Sequence, residues 1–346
     1  MRVLVTGHNG YIGTILVPML QAHGHEVVGL DTDYFRSCLF TGAVPAIEGI
    51  AKDIRDVEAG DVAGFDAIIH LAGLSNDPLG DYRPHLTVDI NETAAVKLAR
   101  LAKAAGVSRF LFASSCSNYG AGGADFLDEN AAFNPVTPYG VSKVQVEAAL
   151  SQLADADFSP TYLRASTAYG VSPLLRFDLV INNLTAWAFT TGLVYLKSDG
   201  TPWRPVVHVE DIALSYVAAL HAPREAIHNE AFNVGTTTEN YQIRELAEIV
   251  RDVVPNCRIE FAPDAGPDTR CYRVDCNKIA RVLHEFKPQW TARRGVEELY
   301  ESYRQVGLTL DDFEGARYKR IAHVKKLVAD GRLDDELRWR TPAGAA

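Results

Sequence analysis

Apolar residues in this chain fall into short unbroken runs separated by stretches of helical spacing. Val3-Leu4-Val5 enters the turn Thr6-Gly7-His8-Asn9-Gly10-Tyr11-Ile12-Gly13, after which Ile12, Ile15, Leu16, Met19 and Leu20 recur at helical spacing. A second run, Val27-Val28-Gly29-Leu30, follows Gly24 and stops at Asp31. The first thirty residues therefore read as strand, glycine turn, helix and strand. Further strands are predicted over Ile47–Ile54, Ala67–Gly73 and Ser108–Ala113. A long helix is predicted over roughly Tyr82–Ala105, with Ile90, Ala94, Leu98, Leu101 and Ala105 on one stripe and Asn91 interrupting it only mildly. Another helix follows Pro138 and runs to about Leu153.

The first turn carries chemistry. Gly7 and Gly10 lack a Cβ, so the chain can turn sharply and a pyrophosphate can approach the N–H groups at the helix start, where the helix dipole favours negative charge. Gly13 permits close packing of helix on strand. The spacing is GxxGxxG, set between a predicted strand and a predicted helix. Asp31, at the tip of the second strand, is placed to accept hydrogen bonds from a ribose and would repel a 2′-phosphate, which favours NAD over NADP. Candidate cofactor contacts are Gly7, Asn9, Gly10, Tyr11, Ile12, Gly13 and Asp31, then Asp53 and Ile54 flanking an adenine, and the small-residue turn Leu71-Ala72-Gly73. His70 reads as a satisfied strand-end histidine.

With 346 residues the chain is long enough for two lobes. Its net charge of −10 argues against nucleic acid as a partner and leaves room for an anionic small ligand held by local arginines. Five scattered cysteines without a CxxC pair indicate neither a disulfide framework nor a zinc site. No apolar run reaches membrane-spanning length, and the first strand begins at residue 2, so a cytoplasmic protein without a membrane association is expected. The tail from Leu308 carries Arg317, Lys319, Arg320, Lys325 and Lys326 flanked by acids, and reads as a solvated helix packed on the second lobe.

Ser114-Ser115-Cys116-Ser117 follows the strand ending near Ala113, where open parallel sheets bind ligands. Tyr139 and Lys143 lie one helical turn apart and share a face. An ammonium beside a phenol stabilises the phenolate and tunes the tyrosine toward proton transfer near neutrality. In this order, glycine loop, Ser115, Tyr139 and Lys143, the sequence resembles the extended short-chain dehydrogenase/reductase family of NAD-dependent nucleotide-sugar epimerases and dehydratases. The resemblance extends from Thr6 to about Asp275. It implies an α/β fold: a Rossmann-like doubly wound parallel sheet over residues 1–170, with later segments returning to it, and a smaller C-terminal substrate-binding lobe and helical tail over 171–346.

The resemblance also implies roles. Ser115, Tyr139 and Lys143 match the catalytic triad, with Tyr139 and Lys143 also touching the cofactor, and Arg164–Gly170 matches the segment beside the nicotinamide. Asn183 of the Asn182-Asn183 pair, Arg204, Arg270 and Ser117 match positions that hold the sugar nucleotide, although the family's Arg-Pro-Gly reads Ala265-Gly266-Pro267 here. Asn182 and Asn183 otherwise suit helix capping, and Asp211 reads as the cap of the helix holding Ile212 and Leu214. Phe232-Asn233-Val234-Gly235 is expected to open the substrate lobe. Cys116-Ser117 stands where 4,6-dehydratases carry an acid pair, and Cys116 reads as a buried structural thiol. The expected activity is epimerisation, at C4 through a transient 4-keto sugar. The alternatives are an NAD(P)H-dependent 4-keto-sugar reductase, a 3,5-epimerase, a 4,6-dehydratase and a non-catalytic sensor. The family's habit of pairing through two helices points to a homodimer joined at the two predicted helices Tyr82–Ala105 and Tyr139–Leu153.

Overall fold

The computed structural model describes residues 1–340 apart from 76, 124 and 267–270. Seven parallel strands form the main sheet: β1 (Arg2–Thr6), β2 (Glu26–Asp31), β3 (Gly49–Ala51), β4 (Ala67–His70), β5 (Arg109–Ser115), β6 (Ser159–Ala165) and β7 (Glu230–Val234). Their spatial order is β7-β6-β5-β4-β1-β2-β3. The order reverses between β1 and β4, and the crevice at the carboxyl ends of those strands is where doubly wound sheets bind ligands. Near-continuous apolar runs such as Val3-Leu4-Val5 and Ala67-Ile68-Ile69 are fully buried because helices cover both faces. On one face, helix α1 (Gly13–Ala22) contributes Leu16, Val17 and Leu20 beside Tyr216 and Leu220. On the other, Leu98 and Ala99 pack with Val146 and Leu150 of α2 (Pro138–Leu153).

The smaller lobe is built on α3 (Val180–Thr191), the parallel pair Leu193–Ser198 and Arg258–Gly266, and the helices Ile243–Val253 and Ala292–Val306. Its core joins Ile181 and Leu184 to Leu246, Val250, Val296 and Leu299. Phe232-Asn233-Val234 does not open this lobe. It lies in β7, the edge strand of the main sheet, paired with Leu163-Arg164-Ala165 of β6. All three residues are fully buried, and Phe232 and Val234 join the large core.

Three expectations change locally. The predicted third strand shrinks to Gly49–Ala51, because Asp53 turns the chain by accepting the Arg55 N–H at 2.9 Å and capping the 3-10 turn Ile54–Asp56. The long helix is broken at Arg83, which precedes Pro84 and takes a non-helical conformation, and it continues as Pro84–Thr87, a π-helical stretch Val88–Thr93 and then Ala94–Ala104. Asn91 sits in the π-helical stretch with its carboxamide bonded to both Leu74 N (2.7 Å) and Leu74 O (3.0 Å). It thereby fixes the loop that follows β4.

The tail is the third. Its first part does lie on the smaller lobe, with Leu308, Phe313 and Tyr318 buried in that core, but the helix that follows does not lie there as a solvated one. Val324 and Leu327 of α4 (Arg320–Ala329) pack in the same core as Leu30, Tyr34 and Ile54 of the main domain. Beyond α4, Arg55 Nη1 donates to Glu336 O at 2.9 Å and Trp339 Nε1 donates to Thr32 O at 2.6 Å, while Tyr34 donates its hydroxyl to Leu337 O. Among the described residues no helix is long and apolar enough to cross a membrane.

Candidate active site

The glycine turn forms one wall of a cleft at the carboxyl ends of β1, β2 and β4. Gly7 has φ +76°, and a Cβ there would meet Ala72 N at 2.8 Å. A Cβ on Gly13 would lie 2.4 Å from His8 O and 2.5 Å from Gly7 O, both main-chain atoms. No side chain caps the start of α1, whose N-cap is Ile12. The helix therefore opens on bare backbone, the arrangement that receives a phosphate. Gly13→Ala is expected to cost roughly 1–3 kcal/mol of stability and to empty the protein of nucleotide. Ultraviolet absorbance and acid release of bound nucleotide from the purified variant check this.

Asp31 Oδ2 accepts from Asn9 N at 3.0 Å and Oδ1 from Asp33 N at 2.9 Å, so the carboxyl is aimed by two main-chain bonds at the cleft. Burial pushes its pKa up, against those bonds. Gly7, Asn9, Gly10, Tyr11, Ile12, Gly13, Asp53, Ile54, Leu71, Ala72 and Gly73 line the same cleft. Asp53 is less free than its position suggests. Its carboxylate is held by Arg55 Nη2 at 2.7 Å; burial opposes ionisation, but these bonds win and keep the pKa below the ordinary carboxylate range. Pattern reading missed Arg176 and Arg320, which also line this cleft, because neither belongs to a recognisable motif.

A second, larger cleft adjoins the first. Ser115, Ser117, Tyr139, Lys143, Asn183 and Arg204 all line it. Ser115 ends β5, and its Oγ accepts from Ser117 N at 3.1 Å and contacts Ser117 Oγ at 2.8 Å, capping the turn Cys116–Tyr119. Tyr139 and Lys143 stand on α2, which Pro138 starts and Thr137 caps through a bond from Gly140 N at 3.2 Å. Lys143 is 6% exposed; its Nζ donates to Ala113 O at 2.7 Å and lies 5.5 Å from the centre of the Tyr139 ring. Burial lowers its pKa to about 8, with Glu147 pulling the other way.

The wall behind the triad is a buried polar network. Arg164 on β6 pairs with Glu147 at 2.6 Å and donates to Tyr119 OH at 3.0 Å, while Asn118 Nδ2 reaches Glu147 Oε1 at 3.2 Å. The turn after Ser115 is thus tied to α2. Cys116 is fully buried, donates its thiol to Arg164 O at 3.1 Å, and has its pKa pushed up to about 12 by burial, so it serves packing. His70 is likewise occupied, its Nδ1 2.7 Å from Thr6 Oγ1, with burial lowering its pKa to about 3.

Asn182 and Asn183 are not caps. Leu179 occupies the N-cap of α3, and the two asparagines lie inside the helix. Asn182 is wholly buried and joins Gly170 N (3.0 Å) to Arg176 O (2.9 Å), whereas Asn183 donates to Phe177 O at 2.8 Å and faces the cleft. Arg204 is buried, donating to Trp203 O at 2.9 Å. Arg270 lies outside the described residues. Asp211 does not cap its helix; His208 does, accepting from Glu210 N at 3.2 Å. The Asp211 carboxylate instead accepts from Gln289 N (2.9 Å) and Trp290 N (3.1 Å), holding a distant loop.

The sequence profile of the NAD dependent epimerase/dehydratase family matches residues 3–235. The chain belongs to this family. It is an extended short-chain dehydrogenase/reductase whose cofactor is NAD. The bare start of α1, the two glycines that exclude a Cβ and the aimed Asp31 carboxyl fit a dinucleotide. Among its relatives is the UDP-glucose 4-epimerase of Mycolicibacterium smegmatis, 30% identical over 321 residues, covering 88% of this chain and 99% of the relative. The UDP-glucose 4-epimerase of Corynebacterium glutamicum is 29% identical over 319 residues, covering 86% of this chain and 94% of the relative. Of solved structures, MoeE5 in complex with UDP-glucuronic acid and NAD superposes with a TM-score of 0.76 at 27% identity, over 88% of this chain and 99% of that one.

Proposed function

We propose that this family member is an NAD-dependent UDP-sugar 4-epimerase that retains its cofactor through the cycle. The observation that carries the reading is one cleft lined by Ser115, Tyr139 and Lys143 in which the positions after Ser115 offer no carboxylic acid. Tyr139 removes the proton of the sugar C4 hydroxyl and later returns it. Ser115 hydrogen-bonds the same oxygen, and the Lys143 ammonium stabilises the phenolate. The cleft that adjoins this one would hold NAD at the start of α1 and at Asp31, and the cofactor would supply reversible hydride chemistry at C4. Asn183 and Arg204 hold the diphosphate and Ser117 the sugar. Elimination of water at C5–C6 needs a proton donor for the leaving hydroxyl, and buried Cys116, already bonded to a carbonyl, is a poor one.

The test is incubation with a panel of UDP-, GDP-, dTDP- and CDP-sugars in deuterated water. A new C4 stereoisomer of a UDP-sugar without carbon-bound deuterium supports the reading. Deuterium at C3 or C5, loss of carbon dioxide from a uronic acid, or turnover only with added reduced cofactor would replace it with another reaction.

We further infer a homodimer. The π-helical stretch Val88–Thr93 packs beside α2, and each of these two elements carries an exposed valine, Val88 at 49% and Val141 at 42%. The variant carrying both Val88→Glu and Val141→Glu is expected to be a folded monomer. Light scattering at micromolar concentration decides; an unchanged mass in that variant refutes the interface.

A further inference from the structure

Arg320 opens α4, in the tail that lies beyond the segment matched by the family profile. Its side chain reaches the wall of the nucleotide cleft, where Arg176 also stands. The residue is only 5% exposed. Nη2 donates to Leu174 O at 2.9 Å, and the guanidinium lies 3.8 Å from the centre of the Phe35 ring. Nη1 is buried and has no hydrogen-bond partner among the described residues.

A buried guanidinium with an idle donor is costly, since a charged group out of water needs its donors satisfied. Arg176 adds like-charge repulsion. Burial first, and Arg176 next, lower the Arg320 pKa to about 10, with Cys38, Asp178 and Asp31 opposing. An anion in the cleft would relieve both penalties. We propose that Arg320 is a cofactor-binding residue whose unpaired Nη1 donates to the pyrophosphate of NAD, so that the tail completes the nucleotide site. The backbone at the start of α1 supplies N–H donors but no whole charge, and a pyrophosphate carries two negative ones. A 2′-phosphate is a poorer fit, because Asp31 and Asp33 stand together at the ribose end, joined through Asn9. The tail's bonds to Thr32, Tyr34 and Arg55 keep α4 in place.

The test uses Arg320→Gln and Arg320→Lys in the full chain. NAD release is followed by exchange with fluorescent etheno-NAD, and melting temperature is measured with and without nucleotide. Losing a charge-assisted bond of this kind should speed NAD release in Arg320→Gln by about 10-fold or more, with part of the loss recovered in Arg320→Lys. The nucleotide-free Arg320→Gln protein should melt no lower than the parent. Release within twofold of the parent overturns the proposal. So does a lowered nucleotide-free melting temperature shared by both variants, which would make Arg320 a structural residue. Parent protein that binds NADP as tightly as NAD, with only NADP weakened in Arg320→Gln, would reassign it to a 2′-phosphate. None of these readouts depends on which sugar carbon is inverted.

Discussion

Tyr139→Phe is expected to bind NAD and UDP-sugar as the parent does while kcat falls about 10²–10⁴-fold, the range over which a positioned acid/base acts. The reason is local. The substitution removes one oxygen at the cleft wall and leaves the ring, and α2 is fixed independently by Pro138, the Thr137 cap and the bond from Lys143 to Ala113 O. Binding and chemistry should therefore separate. Isothermal titration with a UDP-sugar, together with the rate of stereoisomer formation, measures both. Turnover within threefold of the parent would refute Tyr139 as the acid/base of the proposed reaction.

Lys143→Met should lower activity by a similar factor and, against the usual direction for a lost polar residue, stabilise the protein. Lys143 is buried, and its pKa is lowered from 10.5 to about 8 chiefly by that burial. Below pH 8 the lysine is charged in both folded and unfolded chains, and the folded state carries the full desolvation penalty. Between about 8 and 10.5 the folded state sheds the proton first, so the penalty fades as pH rises. At 1.36 kcal/mol per pKa unit, it amounts to roughly 3 kcal/mol near pH 7. Unfolding of nucleotide-free parent and variant across pH 6–10 should show a gap that closes with pH, a gap in favour of the variant at low pH. In the parent, kcat should decline as pH rises through about 8, because the ammonium that holds the Tyr139 phenolate is then lost. A variant less stable than the parent at pH 7 would show that the bond to Ala113 O outweighs desolvation.

The parts of the site that lie on contiguous sequence were legible from it. The glycine turn could be placed because strand, turn and helix signals adjoin, and each glycine answers a steric demand that acts within a few residues or against the next strand. Tyr139 and Lys143 share a face by helical geometry alone, and their cleft with Ser115 follows from the sheet order. The mistaken details have a common cause. Asp211 reads as a local cap and Asn182 suits one, yet each spends its side chain on backbone elsewhere, at Gln289 and Trp290 for one and at Gly170 and Arg176 for the other. Asn91 looked like a blemish on an apolar stripe and proved to be the clamp on Leu74.

What the sequence determined by itself is therefore the first strand–turn–helix–strand unit, the dinucleotide turn and the shared face of Tyr139 and Lys143, since hydrophobic period, turn chemistry and helical spacing are short-range quantities. The doubly wound sheet and the triad follow from the family resemblance that those residues carry. Only the tertiary structure decided where the tail goes and what its arginine meets. Arg320 sits among four other basic residues that the pattern alone assigns to a solvated face. It is buried because Val324 and Leu327 dock on the main domain, a contact between residues some three hundred positions apart that no local period encodes.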